Sequence, residues 1–315
     1  MLMSLFGASL ALILFNKFII ISNPLFNMGF FNFYASEVIY PLHFVPLILS
    51  LLICIQKKKA FKKYILILSF IVLSFYNIHF ISAMIIMVAI LQLEVAALEK
   101  VYKILNKAIL LCTMVGLYQF MTFNSIGLQM FGETEIKYGI KGLSTIDFYG
   151  HKIIRAYGTM AHPNILAGYI AVLTSYKWLN LITFSVSGVI AQINFLKFKI
   201  KSLLPLIIVL IIKNPFYNSR SYVDRVEEVT KGSTEIVHNV YLTLFSANIL
   251  FLISYVFILN YIYRQDKKTA MTVFILGMFD HYFITHPQGV ILLALSVLIA
   301  LIRKQKMSDD RLKNF

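Results

Sequence analysis

Apolar residues fall in blocks of helix-spanning length, separated by short basic connectors and two longer polar segments. The blocks lie roughly at 2–22, 38–56, 64–80, 81–98, 104–123, 164–177, 178–196, 202–213, 238–262, 269–284 and 288–302. A membrane-spanning helix needs about 20 apolar residues, and about 17 is the short limit. Ile, Leu and Phe fill the blocks while Gly and Pro punctuate them, which predicts helices rather than the strands of a barrel. The polar segments are 124–161 and 214–237. The connectors are Gln56–Lys63, Glu99–Lys107, Lys197–Lys201 and Tyr263–Lys268, and a basic tail starts at Arg303.

Composition sharpens this picture. The chain of 315 residues is 59% hydrophobic and 14% charged, against about 45–50% and about 25% in a soluble domain. The net charge of +15 is not read as nucleic-acid binding, because in a membrane protein the location of the cations comes first. Placing the connectors, the tail and Lys177 in the cytoplasm puts 20 of the 29 Lys and Arg inside. Both polar segments then face outward and both termini lie in the cytoplasm. The stretch 178–196 has to leave and return to one side, and at about 1.5 Å per residue it is too short for two crossings. It predicts a re-entrant or shortened hairpin. The expectation is an all-α, polytopic transmembrane bundle of about 10–12 helices in a single domain, with two outward loops, in the cytoplasmic (inner) membrane.

Candidate chemistry gathers in the loops. In Arg155–Gly168 (RAYGTMAHPNILAG), Pro163 breaks the preceding structure, Asn164 suits a cap, and an apolar helix follows. Arg155 and His162 are thereby expected where the first loop re-enters the membrane, near headgroup level; an interfacial anchor and a capping turn account for them equally well. Cys54 and Cys112 lie inside apolar runs, which speaks against a structural disulfide. There is no P-loop, Rossmann fingerprint, HExxH or CxxC pair, and the outward loops lack an Asp-x-Asp pair. No metal, cofactor or nucleotide donor is expected.

Arg155-Ala-Tyr-Gly-Thr, followed by His162-Pro-Asn and Leu166-Ala-Gly, resembles the signature of the O-antigen ligase/polymerase superfamily. Gly116-Leu-Tyr-Gln and Gly132-Glu133 precede it in the matching order. Val237-His-Asn-Val-Tyr-Leu and Asp280-His-Tyr, with Thr285 and Gln288-Gly289, follow it, so the resemblance covers about 110–300. Two departures are visible. Ser185-Val-Ser-Gly stands where family members carry a Ser-Arg pair, and the second outward loop is short.

The resemblance implies a C-type helical-bundle glycosyltransferase. Such an enzyme moves a glycan from an undecaprenyl diphosphate carrier to a glycan or lipid acceptor on the outer face, as a polymerase or a ligase. It implies catalytic roles for His238, as the base beside the acceptor hydroxyl, and for Arg155, on the carrier diphosphate. Arg220, Arg225, His162, Asn164, Asp280 and His281 are the substrate-binding candidates. The expected partners are the lipid-linked glycan, its acceptor and membrane lipids. A polysaccharide or lipid transporter or flippase, and an inactive shortened relative, are the alternatives. Polar residues clustered in two loops favour the enzyme over repeated halves meeting at the midplane.

Overall fold

A computed structural model describes residues 2–15, 19–20, 26–28, 31–33, 38–39, 44–57, 64–77, 79–136, 143–148, 151–174, 176–192, 239–280 and 282–313. Arg220, Arg225, His238, His281 and all of 214–237 lie outside these residues, as does the apolar block 202–213.

The described residues are mostly helical. The helices are α1 (Leu2–Leu12), α2 (Phe44–Lys57), α3 (Tyr64–Ser74), α4 (His79–Gln92), α5 (Val95–Thr122) and α6 (Pro163–Leu173). After a 3-10 helix at Lys177–Thr183 come α7 (Val186–Gln192), α8 (Val240–Ala247), α9 (Ile249–Gln265), α10 (Lys267–Phe279), α11 (Tyr282–Thr285) and α12 (Pro287–Lys313).

Several boundaries depart from the apolar blocks, each for a local reason. Glu99–Lys107, expected as a connector, is part of the 28-residue α5. Glu99, Lys100, Lys103 and Lys107 all favour helix, and Glu99 and Lys103 stand one turn apart. The block 238–262 is broken at Asn248, whose extended backbone caps α9 while its side chain accepts from Leu250 N at 2.9 Å. The block 178–196 holds the 3-10 turn and α7, joined through Phe184 in a left-handed conformation at φ 46°. The all-α expectation also needs amending, because short antiparallel ribbons are present. Two pair Ile19–Ile20 (β1) with Val38–Ile39 (β4) and Phe26–Met28 (β2) with Phe31–Phe33 (β3). The third pairs Thr145–Phe148 (β5) with His151–Ile154 (β6), Thr145 opposite Ile154, and it delivers Arg155 to the rest of the fold.

α12 runs through the middle. Every residue from Pro287 to Ala300 is buried, and α4, α5, α6, α9, α10 and α11 all pack against it. α5 and the Pro287–Asp309 portion of α12 are long and apolar enough to cross a membrane. α1, α3 and α6, at 11 residues each, extend only about 16 Å at about 1.5 Å per residue, roughly half the ~30 Å hydrocarbon core. Apart from the exposed Lys100, Lys103 and Lys107 on the first half of α5, the outer helices turn mostly apolar side chains outward. Ile48, Leu51, Leu52 and Ile55 on α2, Ile65, Leu68 and Ile71 on α3, Leu111, Met114 and Met121 on α5, and Leu250, Ile253 and Phe257 on α9 are all exposed. A helix apolar all round belongs in a core or in lipid.

Polar links define the two ends of the bundle. At one end Arg303 reaches Asp266 at 3.3 Å and Lys306 reaches Glu99 at 3.8 Å, joining the C-terminal part of α12 to the starts of α10 and α5. Lys304 also donates to Gln265 Oε1 at 3.0 Å. The Lys306–Glu99 pair is exposed and contributes little. Asp266 is buried and also caps α10, accepting from Thr269 N at 2.8 Å. Replacing Asp266 with Ala is expected to destabilise the protein by about 1–2 kcal/mol through loss of the cap alone. Asp266→Asn retains the cap and falls between Ala and wild type, as checked by thermal unfolding of the three purified proteins.

Candidate functional site

The other end collects the ends of α5 and α10 and the starts of α6 and α12. Here the segments singled out in the sequence come together. Gly116 lets the chain at 156–158 lie directly on α5: a Cβ at Gly116 would stand 3.2 Å from both Ala156 Cβ and Gly158 N. Gly158 is itself in the left-handed region, at φ +61°, and a Cβ there would stand 2.6 Å from Cys112 O. One turn beyond Gly116, the fully buried Gln119 side chain accepts from Gly158 N at 2.8 Å and donates to Gly158 O and Glu133 Oε1, both at 2.9 Å. Thr159 continues the seam, its amide on Cys112 Sγ at 3.3 Å and its hydroxyl on Leu14 O.

Arg155 sits three residues before Gly158, and it is 6% exposed. Its Nε donates to Thr183 O at 2.6 Å, Nη1 to Ser144 Oγ at 2.8 Å and Nη2 to Asn164 Oδ1. This differs from an exposed guanidinium at headgroup level. The β5–β6 ribbon brings Ser144 alongside, with Arg155 N donating to Ser144 O at 3.2 Å. The 3-10 turn brings Thr183, and a planar fork of donors suits acceptors spread around it. Arg155 therefore knits the first loop, the 177–183 turn and the start of α6. Beside it, Tyr157 OH accepts from Ser144 N at 2.6 Å. Burial pushes the Tyr157 phenol up, against the smaller opposing effects of the Ser144 N–H and Arg155.

His162 caps α6. Its backbone is extended, its Nδ1 accepts from Asn164 N at 3.2 Å, and Pro163 occupies the first helical position, where no amide hydrogen is needed. The expectation that Asn164 caps is thus corrected by one step: His162 caps, and Asn164 receives Arg155. His162 stays half-buried, with its ring edge-on to Tyr157 at 6.3 Å between centroids. An imidazole whose Nδ1 is committed as an acceptor presents Nε2 for further contact.

The later segments arrive at the same end. Gln288 is fully buried; its Oε1 accepts from Ala161 N at 3.3 Å and its Nε2 donates to Ile13 O at 3.2 Å. Tyr169 OH donates to Gln288 O at 2.8 Å, and Gly168 lies under Phe283, where a Cβ would stand 2.5 Å from the ring. Asn239 caps α8, accepting from Tyr241 N and Leu242 N, and donates to Met278 O at 2.9 Å. That bond ties the His-Asn-x-Tyr-Leu segment to the end of α10, where Asp280 is 1% exposed. α8 touches α11, and α11 touches α6.

Of the sequence-predicted site residues, Arg155, His162 and Asn164 form one bonded cluster. Asp280 sits at the neighbouring end of α10, while His238, His281, Arg220 and Arg225 lie outside the described residues. Ser185 caps α7 through a bond from Gly188 N at 3.2 Å and lies 2.9 Å from Ser187 Oγ. Ser144 and Thr183, the two further partners of Arg155, carried no signal in the sequence. Neither did Asn77, which donates to Ile284 O at 3.0 Å and Thr285 O at 3.1 Å. Nor did His286, whose pKa is pushed down to about 3 by burial, with His79 adding to the shift. Among the described residues no group of three or more His, Cys, Asp or Glu has the arrangement of a metal site.

Compared with family models, curated proteins and solved structures, the chain matches none.

Gly158 is the point through which the cluster is held. Gly158→Ala forces a side chain into a left-handed backbone, at about 1–3 kcal/mol, and drives its Cβ onto Cys112 O. Lower thermal stability is expected together with faster amide hydrogen exchange across 155–162. The matched change at Gly277 in α10, where an added Cβ would make only ordinary contacts of 3.4 Å with the Tyr241 and Tyr255 hydroxyls, is expected to lower stability less and to leave exchange at 155–162 unchanged.

Proposed function

We propose that the chain is a multi-pass glycosyltransferase of the cytoplasmic membrane. It transfers or polymerises a glycan carried on undecaprenyl diphosphate, in the manner of O-antigen ligases and polymerases. The observation that carries this reading is the meeting of the resembling segments at one end of the bundle. Gln119, Glu133 and Gly158 are bonded to one another, Arg155 to Asn164, Ala161 to Gln288, and Asn239 to the turn before Asp280. Segments far apart in the chain have no local reason to gather, and a shared substrate supplies one. The membrane setting is supported by the exposed apolar faces of α2, α3, α5 and α9 and by the ion-paired basic residues at the opposite end.

In the proposed reaction the oxygen of an acceptor hydroxyl attacks the anomeric carbon of the donor glycan. The bond from that carbon to the diphosphate oxygen breaks, and the electron pair leaves with undecaprenyl diphosphate. The hydroxyl proton passes to a base. His238 is the proposed base, placed immediately before Asn239, whose amide is fixed on Met278 O. A helix start favours the neutral imidazole that a base requires. The charge that grows on the leaving diphosphate falls to Arg220 and Arg225 in the second loop, as bidentate donors. Arg155 acts by holding Asn164 and the 177–183 turn, with the half-buried His162 toward substrate.

Two measurements test this. In the first, Ile140→Cys and Thr230→Cys are introduced separately after replacing Cys54 and Cys112. Both positions are expected to react with a membrane-impermeant maleimide in intact cells, and protection of both overturns the proposed orientation. In the second, His238→Ala is assayed in membranes with a lipid-linked oligosaccharide. A rate loss of about 10²–10⁴-fold is expected, with the protein still abundant and inserted; near-normal transfer reduces His238 to a residue beside a helix cap.

A further inference from the structure

We infer that Gln119 and Glu133 are positioning residues that set where His162 and Asn164 stand toward substrate; this rests on the transferase reading above.

The Gln119 amide uses both of its functions on one turn of chain. Its Oε1 accepts from Gly158 N at 2.8 Å and from Tyr157 N at 3.2 Å, and its Nε2 donates to Gly158 O and Glu133 Oε1, both at 2.9 Å. A primary amide offers two donor hydrogens and an acceptor oxygen side by side, and here each donor hydrogen has its own acceptor. A carboxylate at 119 has no donor for Gly158 O, and an apolar residue leaves the peptide groups at 157–158 unanswered.

Glu133 is the other half of the device. It is 4% exposed, and its carboxylate is ringed by N–H groups. Oε1 accepts from Ile126 N at 2.7 Å as well as from Gln119, while Oε2 accepts from Gly127 N at 3.0 Å and Leu128 N at 2.6 Å. Successive backbone amides in a turn form a concavity suited to an anion, and here the protein's own carboxylate fills it. With four N–H groups directed at its oxygens, Glu133 is engaged as an anchor and not as a proton acceptor for substrate. The 126–128 turn is thereby tied through Glu133 and Gln119 to Gly158.

Two arms leave that anchored turn and meet again. Backward, the chain reaches Arg155, whose Nη2 donates to Asn164 Oδ1. Forward, it reaches His162, whose Nδ1 accepts from Asn164 N at 3.2 Å. A displacement at 158 therefore moves both groups that hold Asn164, and with them the half-buried imidazole edge. Misplacing reacting groups by about 1 Å can cost about 10²-fold in rate without weakening binding.

The test uses the full chain with Gln119→Glu, Glu133→Gln, the double variant, and Gln119→Asn as a milder change. Two properties are read. One is transfer from an undecaprenyl-diphosphate-linked oligosaccharide, resolved into kcat and KM. The other is the rate of His162 modification by diethyl pyrocarbonate, located by mass spectrometry, which needs no activity. Gln119→Glu sets two carboxylates together and is expected to lower kcat by about 10²-fold, to leave the donor KM within about twofold, and to change the His162 modification rate. In the double variant an amide at 133 donates to a carboxylate at 119, so kcat is expected to recover about tenfold over Gln119→Glu, the non-additivity of a direct contact. Gln119→Asn is expected to fall between the two, and it decides the matter if Gln119→Glu does not fold. The inference is overturned if kcat and His162 modification are both unchanged. It is also overturned if the loss appears in KM alone, or if the double variant is no better than the worse single one. If wild type transfers no lipid-linked glycan, the transferase reading fails by itself, and unchanged His162 modification in the variants overturns the positioning role separately.

Discussion

α12 has no face to give to water. From Pro287 to Ala300 it is buried on every side, and a helix in that position has to find partners for every polar group from within the protein. It does so with few of them. Ser296 returns its hydroxyl to Leu292 O, and Gln288 divides its amide between Ala161 N and Ile13 O. The rest of the bundle is arranged around this requirement, with α4, α5, α6, α9, α10 and α11 each covering part of the central surface. Because α12 also reaches Asp266 and Glu99 at its far end, one element determines which helix ends meet.

The same economy governs the site. A buried polar group without a partner costs about 1–3 kcal/mol, so a cluster of them persists only when each is answered. Gln119, Glu133 and Arg155 are answered by backbone groups at 126–128, 157–158 and 183, and Arg155 also by the side chains of Ser144 and Asn164. Glycines make the approach feasible. Gly116 admits the chain against α5, and Gly158 supplies the left-handed step that turns it. The result is a support made from irregular segments, held on the two longest helices among the described residues.

Arg155 shows how packing can change a residue's role without changing its identity. From sequence alone an arginine before a His-Pro-Asn turn is expected as a cation at a membrane surface. Once β5 and β6 pair and the 177–183 segment turns back, its Nε, Nη1 and Nη2 all donate to protein acceptors. Lysine at this position would leave Thr183 O, Ser144 Oγ or Asn164 Oδ1 short of a donor, whatever it did to a diphosphate. The outward apolar faces of α2, α3 and α9 act on the surroundings: side chains such as Ile48, Leu68 and Ile253 gain where water is excluded.

Hydrophobic blocks determined that the described residues are mostly helical, and the starts of α3, α6 and α12 were legible to within a residue or so, because Pro163 and the steps from polar to apolar sequence act locally. That Arg155, His162 and Asn164 stand close together was legible too, since they lie within ten residues of one another in the chain. Tertiary structure decided the rest. It joined Glu99–Lys107 to α5 and split 238–262 at Asn248, as a capping asparagine and a run of helix-favouring charges weigh against hydropathy only when their exposure is known. It buried Arg155, and it chose Ser144 and Thr183 as its partners. Neither has a periodic or motif signal, for a hydrogen bond between residues 28 positions apart depends on where two chain segments come to rest, and no local pattern encodes that distance.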